Sequence, residues 1–151
     1  MIKALKAILA LALMVAGPVF AGPEVSSPSN HVVSGGQGVE KSVDSSDRTK
    51  WCGLHEGRPV QWMLKLSEDG GMAVKSYSII SGNDVPTRDP KDWVLEGSQD
   101  GEYWTELDRQ TDQPVFEKRL QSRTFQFEND AAWQFYRFTF GKTHDETHFQ
   151  F

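Results

Sequence analysis

The chain has 151 residues, a net charge of −5 at neutral pH and a single cysteine. An acidic chain without a run of lysines or arginines repels phosphate groups, so nucleic acids and anionic membranes are disfavoured as partners. One cysteine excludes an intramolecular disulfide, so stability has to come from packing or from a bound ion.

The first 21 residues are typical of a secretory signal peptide. Lys3 and Lys6 give a basic start, an apolar stretch follows over residues 7–16, and Ala21 ends a small-residue cleavage sequence. The apolar stretch is shorter than the roughly 20 residues that a membrane-spanning helix needs. The sequence therefore predicts cleavage after Ala21 and a secreted or periplasmic protein. Cleavage leaves 130 of the 151 residues and, by removing both lysines, lowers the net charge from −5 to −7.

The remaining chain is predicted to be a linker followed by one all-β domain. Residues 22–37 are rich in serine, proline and glycine and are expected to form a linker and lead-in segment. Residues 38–151 carry short alternating apolar segments separated by turn residues, which predicts a β-sandwich or barrel. Only one turn of helix fits, around residues 39–43. The inward-facing positions are expected to be Trp62, Tyr77, Ile79, Trp93, Leu95, Tyr136 and Phe138.

Two local features refine this prediction. Asp100 and Gly101 stand between two alternating segments and predict a tight hairpin in which both residues take a positive φ angle. Cys52 and the tryptophans in or beside strands are expected in the core rather than on a ligand-binding surface. These tryptophans are Trp51, Trp62, Trp93 and Trp104.

The same segments, in this order, resemble the discoidin-like domains, also called coagulation factor 5/8 type C domains, which include the family 32 carbohydrate-binding modules. The resemblance rests on VEKSVDSSDRTKWC, VQWMLKL, YSIISGNDVPTRDPKDWVLEGSQDGEYWTELD and FYRFTF, and covers about residues 38–151. It implies a jelly-roll β-sandwich of the galactose-binding-like type whose ligand-binding loops gather at one end. It also implies a binding module that recognises carbohydrate.

No arrangement of residues predicts catalysis. Nucleophilic catalysis needs a serine or cysteine held against an oriented histidine, and acid–base hydrolysis of glycosides needs a pair of carboxylates. The acidic residues are scattered over turns, and Cys52 is expected to be buried. The chain is therefore expected not to be an enzyme.

Two loops carry candidate carbohydrate-binding residues. Asn83, Asp84 and Arg88 lie on a loop between two predicted strands, and their side chains are of the types that pair with sugar hydroxyls. The alternative is a structural ion pair of Arg88 with Asp84 or Asp89. His55 lies in a loop bounded by glycines, where it would either contact a sugar or close a hydrogen-bonded turn.

A cluster of hard oxygen atoms precedes Trp51. Asp44, Asp47 and Thr49, with Ser46 between them, offer ligands of the kind that calcium prefers. The resemblance implies a structural calcium ion at this place, although relatives also use a glutamate on a later strand that does not follow Phe151 here. The alternative is an ordinary Asx turn, in which the aspartate side chain accepts hydrogen bonds from nearby backbone.

The expected function is binding of an extracellular or cell-surface glycan through loops at one end of the sandwich. The alternative is a protein-binding or adhesive module of the same fold. Membrane insertion is not expected, because the loop that inserts in membrane-binding relatives offers only Val85 and Pro86 as apolar residues here.

Overall fold

The computed structural model describes residues 23–29, 31–33, 35–66 and 71–151, so the predicted signal peptide lies outside the described residues. Within them the chain forms short 3₁₀ turns at Val39–Ser42 and Pro86–Arg88, where the first matches the predicted helical turn. The strands are β1 (Glu24–Ser26), β2 (Cys52–Leu54), β3 (Val60–Lys65), β4 (Ser76–Ile80), β5 (Pro90–Ser98), β6 (Thr105–Gln110), β7 (Ser122–Gln126), β8 (Phe135–Thr143) and β9 (His148–Gln150). No helix in the described part is long and apolar enough to cross a membrane.

The strands form a five-stranded sheet in the order β1-β3-β8-β5-β6 and two strand pairs, β4-β7 and β2-β9, all antiparallel. The pairs pack on the larger sheet through aromatic rings. Tyr77 of β4 meets Phe138 of β8 with ring centroids 4.8 Å apart, and Phe151 after β9 stacks on Phe140 at 4.1 Å. The predicted all-β jelly-roll sandwich is confirmed.

The period-two pattern of the sequence accounts for the core. In β3, Val60, Trp62 and Leu64 are buried, while the residues between them are only partly covered. Side chains of a strand point alternately to its two faces, so one face is apolar and packs inward. All seven inward-facing residues expected from the sequence are buried: Trp62, Tyr77, Ile79, Trp93, Leu95, Tyr136 and Phe138.

The segment expected to be a linker also contributes to the sandwich. Residues Glu24–Ser26 pair with β3 as an edge strand, and Val33 forms a single bridge with Gly53. A side chain at position 53 would place its Cβ 2.4 Å from the Val32 carbonyl oxygen, so this close approach requires glycine. A strand of three residues is too short for its alternation to be recognised in the sequence.

The connection between β5 and β6 is a hairpin, as predicted, but the prediction of a tight turn with two positive φ angles is wrong. Gly101 has a φ of 80°, whereas Asp100 is not in the positive-φ region. The Asp100 carboxylate instead accepts hydrogen bonds from the backbone N–H groups of Glu102 and Tyr103, at 2.8 and 3.0 Å. These bonds close a longer loop, because an aspartate side chain can replace a backbone turn bond.

The prediction for the tryptophans holds for all but Trp104. Trp51, Trp62 and Trp93 are buried, and so is Cys52. Trp104 is only partly buried, and the Arg137 guanidinium lies 4.0 Å from its ring centroid on the outer face of the sheet. A large aromatic side chain next to a hairpin is covered here by a cation–π contact rather than by the core.

A buried chain of hydrogen bonds joins the two layers. The Trp93 indole N–H donates to the Tyr77 hydroxyl at 2.7 Å, and that hydroxyl donates to the Asp108 carboxylate at 2.6 Å. Burial, followed by the hydrogen bond to Asp108, raises the pKa of Tyr77 far above its usual value, so the phenol keeps its proton. The chain therefore connects β5, β4 and β6 through one side chain.

Replacement of Tyr77 by phenylalanine tests this link. The change keeps the ring but leaves the buried Trp93 N–H without an acceptor, which costs about 1–3 kcal/mol of unfolding free energy. Urea denaturation of Tyr77→Phe measures the loss. Tyr103→Phe is the matched control, because Tyr103 is 80% exposed; it is expected to change stability by less than about 0.5 kcal/mol. Equal stability of Tyr77→Phe and the unsubstituted protein would contradict the proposed role of the hydroxyl.

Candidate functional site

A buried lysine fixes the beginning of the loop formed by residues 82–89, here called the Asn83 loop. Lys50 Nζ donates to Asn83 Oδ1 at 3.0 Å and forms an ion pair with the Asp84 carboxylate. The Lys50 side chain is 7% exposed and the Asp84 side chain 53% exposed. The Asn83 amide nitrogen has no protein partner among the described residues, so this rigidly held loop offers both a donor and an acceptor to solvent.

Arg88 forms neither of the two ion pairs, with Asp84 or with Asp89, that the sequence offers as the alternative to sugar contact. Asp84 pairs with Lys50, and Asp89 pairs with Arg119. Both Asp89 oxygens accept from the Arg119 guanidinium, at 2.8 and 2.7 Å, and one also accepts from the Phe116 backbone N–H. Asp89 is fully buried, so this bidentate pair anchors the end of the Asn83 loop to the segment that follows β6.

Arg88 lies half-buried against β2. Its Nη1 atom is 4.0 Å from the Cys52 sulfur, and its Nε atom is buried without a partner in the described part of the chain. The loop backbone beside it is tied to β9, because the Gln150 amide donates to the Val85 carbonyl at 2.7 Å. Arg88 therefore shares a loop with Asn83 and Asp84 but contacts Cys52 rather than Lys50.

His55 is held at the turn between β2 and β3. Its Nδ1 atom accepts from the Gly57 backbone N–H at 3.0 Å, which places the ring proton on Nε2, 3.2 Å from the Asp145 carbonyl oxygen. The residue is 7% exposed. This geometry matches the hydrogen-bonded turn that the sequence offered as the alternative, and a sugar contact by His55 stays a prediction.

Residues 44–49, here called the Asp44 loop, bring two of the three predicted calcium ligands together. The Thr49 hydroxyl donates to both Asp44 carboxylate oxygens at 2.8 Å, and the Ser46 backbone N–H donates to Oδ1 at 3.0 Å. Desolvation is the largest single influence and acts to raise the pKa of Asp44, but these hydrogen bonds and the Lys41 cation together lower it below the usual value.

Asp44 is therefore satisfied by protein donors in an Asx turn. Within the described ranges, no group of three His, Cys, Asp or Glu side chains is arranged to hold a metal ion. Calcium fits this turn only if Lys41 moves away and the Thr49 hydroxyl turns its proton elsewhere. Calcium binding by Asp44, Asp47 and Thr49 thus stays a prediction.

A cavity of about 310 Å³ opens between the Asp44 loop and the end of β4. Lys50 and Gly82 both line it, so it adjoins the Asn83 loop. Exposed residues of the Asp44 loop and Leu120 border its mouth, and buried aromatic residues line its interior. The buried rings belong to Trp51, Trp62, Phe138 and Phe140.

Two residues at the mouth have a left-handed backbone. Ser45 and Leu120 both have a φ of 60°, although neither is glycine. A non-glycine residue in this region costs of order 1 kcal/mol and persists only where the surrounding structure holds it. For Leu120 the hold comes from its neighbours, because Arg119 binds Asp89 and Gln121 donates its backbone N–H to the Ser81 hydroxyl at 3.1 Å.

No pattern in the sequence indicates the structural importance of Lys50 or Leu120. Lys50 contacts Asn83 across 33 positions of the chain, and its neighbours Thr49 and Trp51 indicate only the start of a strand. Leu120 lies in a segment without alternation. Both residues matter because of how distant segments meet, which local periodicity does not describe.

No family model matches the chain. Over a segment of 51 residues, the sequence is 55% identical to peptide-N(4)-(N-acetyl-β-glucosaminyl)asparagine amidase of Arabidopsis thaliana. This segment makes up 33% of this chain and 7% of that enzyme. The chain therefore spans only a small part of the curated relative it matches.

Solved structures share the fold over most of the chain. A CBM32 domain from a family 31 glycoside hydrolase of Clostridium perfringens is 19% identical, with a TM-score of 0.69 and coverage of 85% of each chain. An F5/8 type C domain from Bacteroides fragilis is 14% identical, with a TM-score of 0.69 and coverage of 85% of this chain and 86% of that one.

A third structure, CBM32-5 of a Clostridium perfringens GH89 protein, was solved in complex with GalNAc-β-1,3-galactose. It is 11% identical, with a TM-score of 0.66 and coverage of 85% of this chain and 89% of that one. The chain thus has the discoidin-like, galactose-binding-like fold of carbohydrate-binding modules and F5/8 type C domains, as the resemblance implied.

Thermal melting decides between calcium and the Asx turn. If the ion binds only the folded protein, a hundredfold excess over its dissociation constant stabilises the fold by about 2.7 kcal/mol, and the midpoint rises in millimolar calcium relative to chelator. Asp44→Asn is the matched variant, because it keeps the size and an acceptor oxygen but removes the charge, and its midpoint should not respond. Equal midpoints for the unsubstituted protein, with no ion found by elemental analysis, would identify an ordinary Asx turn.

Proposed function

We propose that the chain is a non-catalytic carbohydrate-binding module whose sugar site is the mouth of the cavity together with the Asn83 loop. The observation that carries this proposal is the meeting of a cavity with exposed polar groups that keep free hydrogen-bonding atoms on rigidly held loops. Binding sites for small ligands are concave and combine apolar walls with a few well-placed polar groups.

The polar groups at the mouth are suited to sugar hydroxyls, which both donate and accept hydrogen bonds. On the adjoining Asn83 loop, Asn83 offers an amide donor and the exposed Asp84 a carboxylate acceptor, and Asp47 offers a second carboxylate at the mouth itself. Lys50 and the Asp89–Arg119 pair hold the loop at both ends. Groups fixed before the ligand arrives lose less entropy on binding, which favours affinity for a small polar ligand.

The fold supports the same class of function. Several proteins of this fold are carbohydrate-binding modules, including the one bound to GalNAc-β-1,3-galactose. The plant amidase is a far longer protein, of which the chain spans 7%, so its activity does not transfer. Among the described residues, the buried Cys52 contacts Arg88 rather than a histidine that would activate it.

Export is part of the same proposal, because the expected ligands are extracellular or cell-surface glycans. The support is the basic start, apolar stretch and small-residue cleavage sequence of the first 21 residues. Expression with the native N-terminus in a host with a secretory pathway should yield a protein that begins at Gly22. Intact-mass measurement checks this, and a product retaining residues 1–21 would contradict export by cleavage.

A glycan array followed by calorimetry on the best ligand tests the binding site. Asn83→Ala and Arg88→Ala should each weaken binding, because a lost hydrogen bond to a sugar costs about 0.5–1.5 kcal/mol for the amide and about 1.5–3 kcal/mol for the charged group. Melting temperatures close to that of the unsubstituted protein are needed for this comparison.

Tyr103→Ala is the control, since Tyr103 lies at the opposite end of β5 from the Asn83 loop and is 80% exposed. Glycan binding that is unchanged in both loop variants but lost in Tyr103→Ala would move the site to that hairpin. An array without any bound glycan would contradict the proposed function and favour the protein-binding alternative.

A further inference from the structure

The layer that packs against the five-stranded sheet consists of two separate strand pairs, β4-β7 and β2-β9. The cavity lies between these pairs, because residues 78–82 at the end of β4 line one side of it and Thr49, Trp51 and Phe151 line another. Two strands alone make a sheet of marginal stability, and three or more are needed for a stable one. The cavity therefore occupies the position of a strand between the two pairs.

One edge of β4 faces this cavity without a partner strand. The Ser81 N–H donates to the Gln121 carbonyl at 3.0 Å, on the side of β7. Alternate residues of an antiparallel strand direct their main-chain groups to opposite edges, so Ser78 and Ile80 direct theirs away from β7. These groups have no hydrogen-bond partner within the part of the chain that the structure describes. Ser78 is 6% exposed, and unpaired main-chain groups at a buried residue are costly.

The opposite wall of the cavity continues the ladder of β2 and β9. Trp51 and Phe151 exchange two backbone hydrogen bonds, each of 2.9 Å. Thr49 lies two positions before Trp51, so its N–H and C=O groups point to the same edge, and they too have no partner among the described residues. Lys50 adds a polar group here, because its ammonium donates twice to the Asn83 loop and keeps a third N–H for another acceptor.

The inner side of the cavity is apolar, whereas its outer side is polar. The rings of Trp62, Phe138 and Phe140, which belong to the five-stranded sheet, line the inner side. Ser45 and Asp47 line the cavity as exposed residues. Successive side chains of a strand point to opposite faces, so a strand in this position directs every second side chain to the rings and the others to solvent.

We propose that the cavity and its two unpaired main-chain edges form a binding site for an extended peptide of another protein, here called the strand site. The peptide hydrogen-bonds to β4 on one side and to Thr49 on the other, and thereby joins the two strand pairs into one sheet. Addition of a strand to a free sheet edge is a general mode of peptide recognition. β4 has five residues, so a peptide of about that length pairs with it.

The walls of the strand site specify the partner. Its apolar residues alternate with polar ones, because only one face meets the rings. Proline is excluded from the paired positions, since it has no N–H to donate. A second copy of this chain is less suited, because two copies with a charge of −5 repel each other and the described strands of each already pair within the fold.

This inference goes beyond carbohydrate binding. Asn83 and Arg88, the residues tested for sugar contact, lie outside the lining of the cavity. The strand site is defined by main-chain groups and aromatic rings instead. The two proposals can therefore fail separately.

A labelled peptide tests the strand site on the unsubstituted protein by fluorescence anisotropy. The probe is the capped sequence Lys-Thr-Val-Thr-Val-Thr-Lys. Its matched control carries an N-methyl group on each valine, which keeps the side chains but removes two hydrogen-bond donors. We expect the control to bind about tenfold more weakly, because lost hydrogen bonds reduce the affinity by about this factor. Equal affinities, or binding by neither peptide, would overturn the inference.

Two proline variants locate the edge that the peptide uses. Ile80→Pro removes an N–H that faces the cavity and should weaken binding of the probe about tenfold. Ser122→Pro is the matched control, because Ser122 lies directly opposite Ile80 in the ladder and its N–H points to the outer edge of β7. It should leave the affinity unchanged. With both variants folded, an equal or greater loss in Ser122→Pro would move the peptide to β7 and overturn the inference.

An extension after Phe151 tests the same site without altering its walls. Phe151 stacks on Phe140, so an appended Thr-Val-Thr-Val places both valines on the face that packs inward. We expect the melting midpoint to rise by several degrees and the labelled peptide no longer to bind. An appended Val-Thr-Val-Thr has the same composition but the opposite alternation, and should do neither. Equal midpoints with probe binding retained in both extended proteins would overturn the inference.

The remaining outcomes separate this inference from the proposed function. Binding of a glycan but not of the peptide would retain the carbohydrate-binding proposal and overturn the strand site. Binding of the peptide in the pattern described, without any bound glycan, would do the reverse. A dimer in sedimentation that the peptide disperses would assign the strand site to a second copy and overturn the choice of partner.

Discussion

The contact on which the two layers depend is the buried hydroxyl of Tyr77. It accepts from Trp93 and donates to Asp108, so one side chain connects strands of the larger sheet to β4. Aromatic rings also pack between the layers, but ring packing alone tolerates sliding, whereas a hydrogen-bond chain with two fixed partners specifies a position. Because β4 runs directly into the cavity wall and the Asn83 loop, its placement also determines the geometry of the candidate site.

In the candidate site, buried polar groups hold the loops in place and exposed polar groups face solvent. The buried ones, Lys50 and Asp89 among them, are used to hold loops, and their partners lie on distant segments. The exposed ones, such as Asn83 and Asp47, are left available to solvent. This arrangement follows from desolvation, because a polar group removed from water has to be paired, while one at the rim keeps its water until a ligand replaces it. The result is a rigid scaffold whose rim side chains keep hydrogen-bonding atoms available to a ligand.

The sequence predicted the fold well because strands with one buried face have an unmistakable period, as in Val60, Trp62 and Leu64. It predicted the Asn83 loop as a place of interest because turn residues and polar side chains cluster there. It did not predict which partners those residues would take. Arg88 does not form the ion pair with Asp84 or Asp89 that the sequence offers as the alternative to sugar contact, because Lys50 and Arg119 pair with those aspartates. Such pairings depend on the approach of segments that are remote along the chain. The prediction of a tight turn at Asp100 is wrong for another reason: the Asp100 carboxylate accepts a backbone hydrogen bond that closes the loop without a positive φ angle at this residue.

Leu120 illustrates a trade between folding and surface chemistry. Its backbone conformation is one that glycine adopts without strain, and its side chain is 44% exposed. Neither backbone preference nor burial therefore favours leucine over glycine at this position. Glycine at this position would remove the backbone strain. It would also raise the conformational entropy of the unfolded chain and take an apolar side chain away from the edge of the cavity. The residue is thus locally frustrated, and such positions are where a fold gives up stability for a surface of a particular shape. Attempts to make this domain more thermostable should therefore begin far from residue 120.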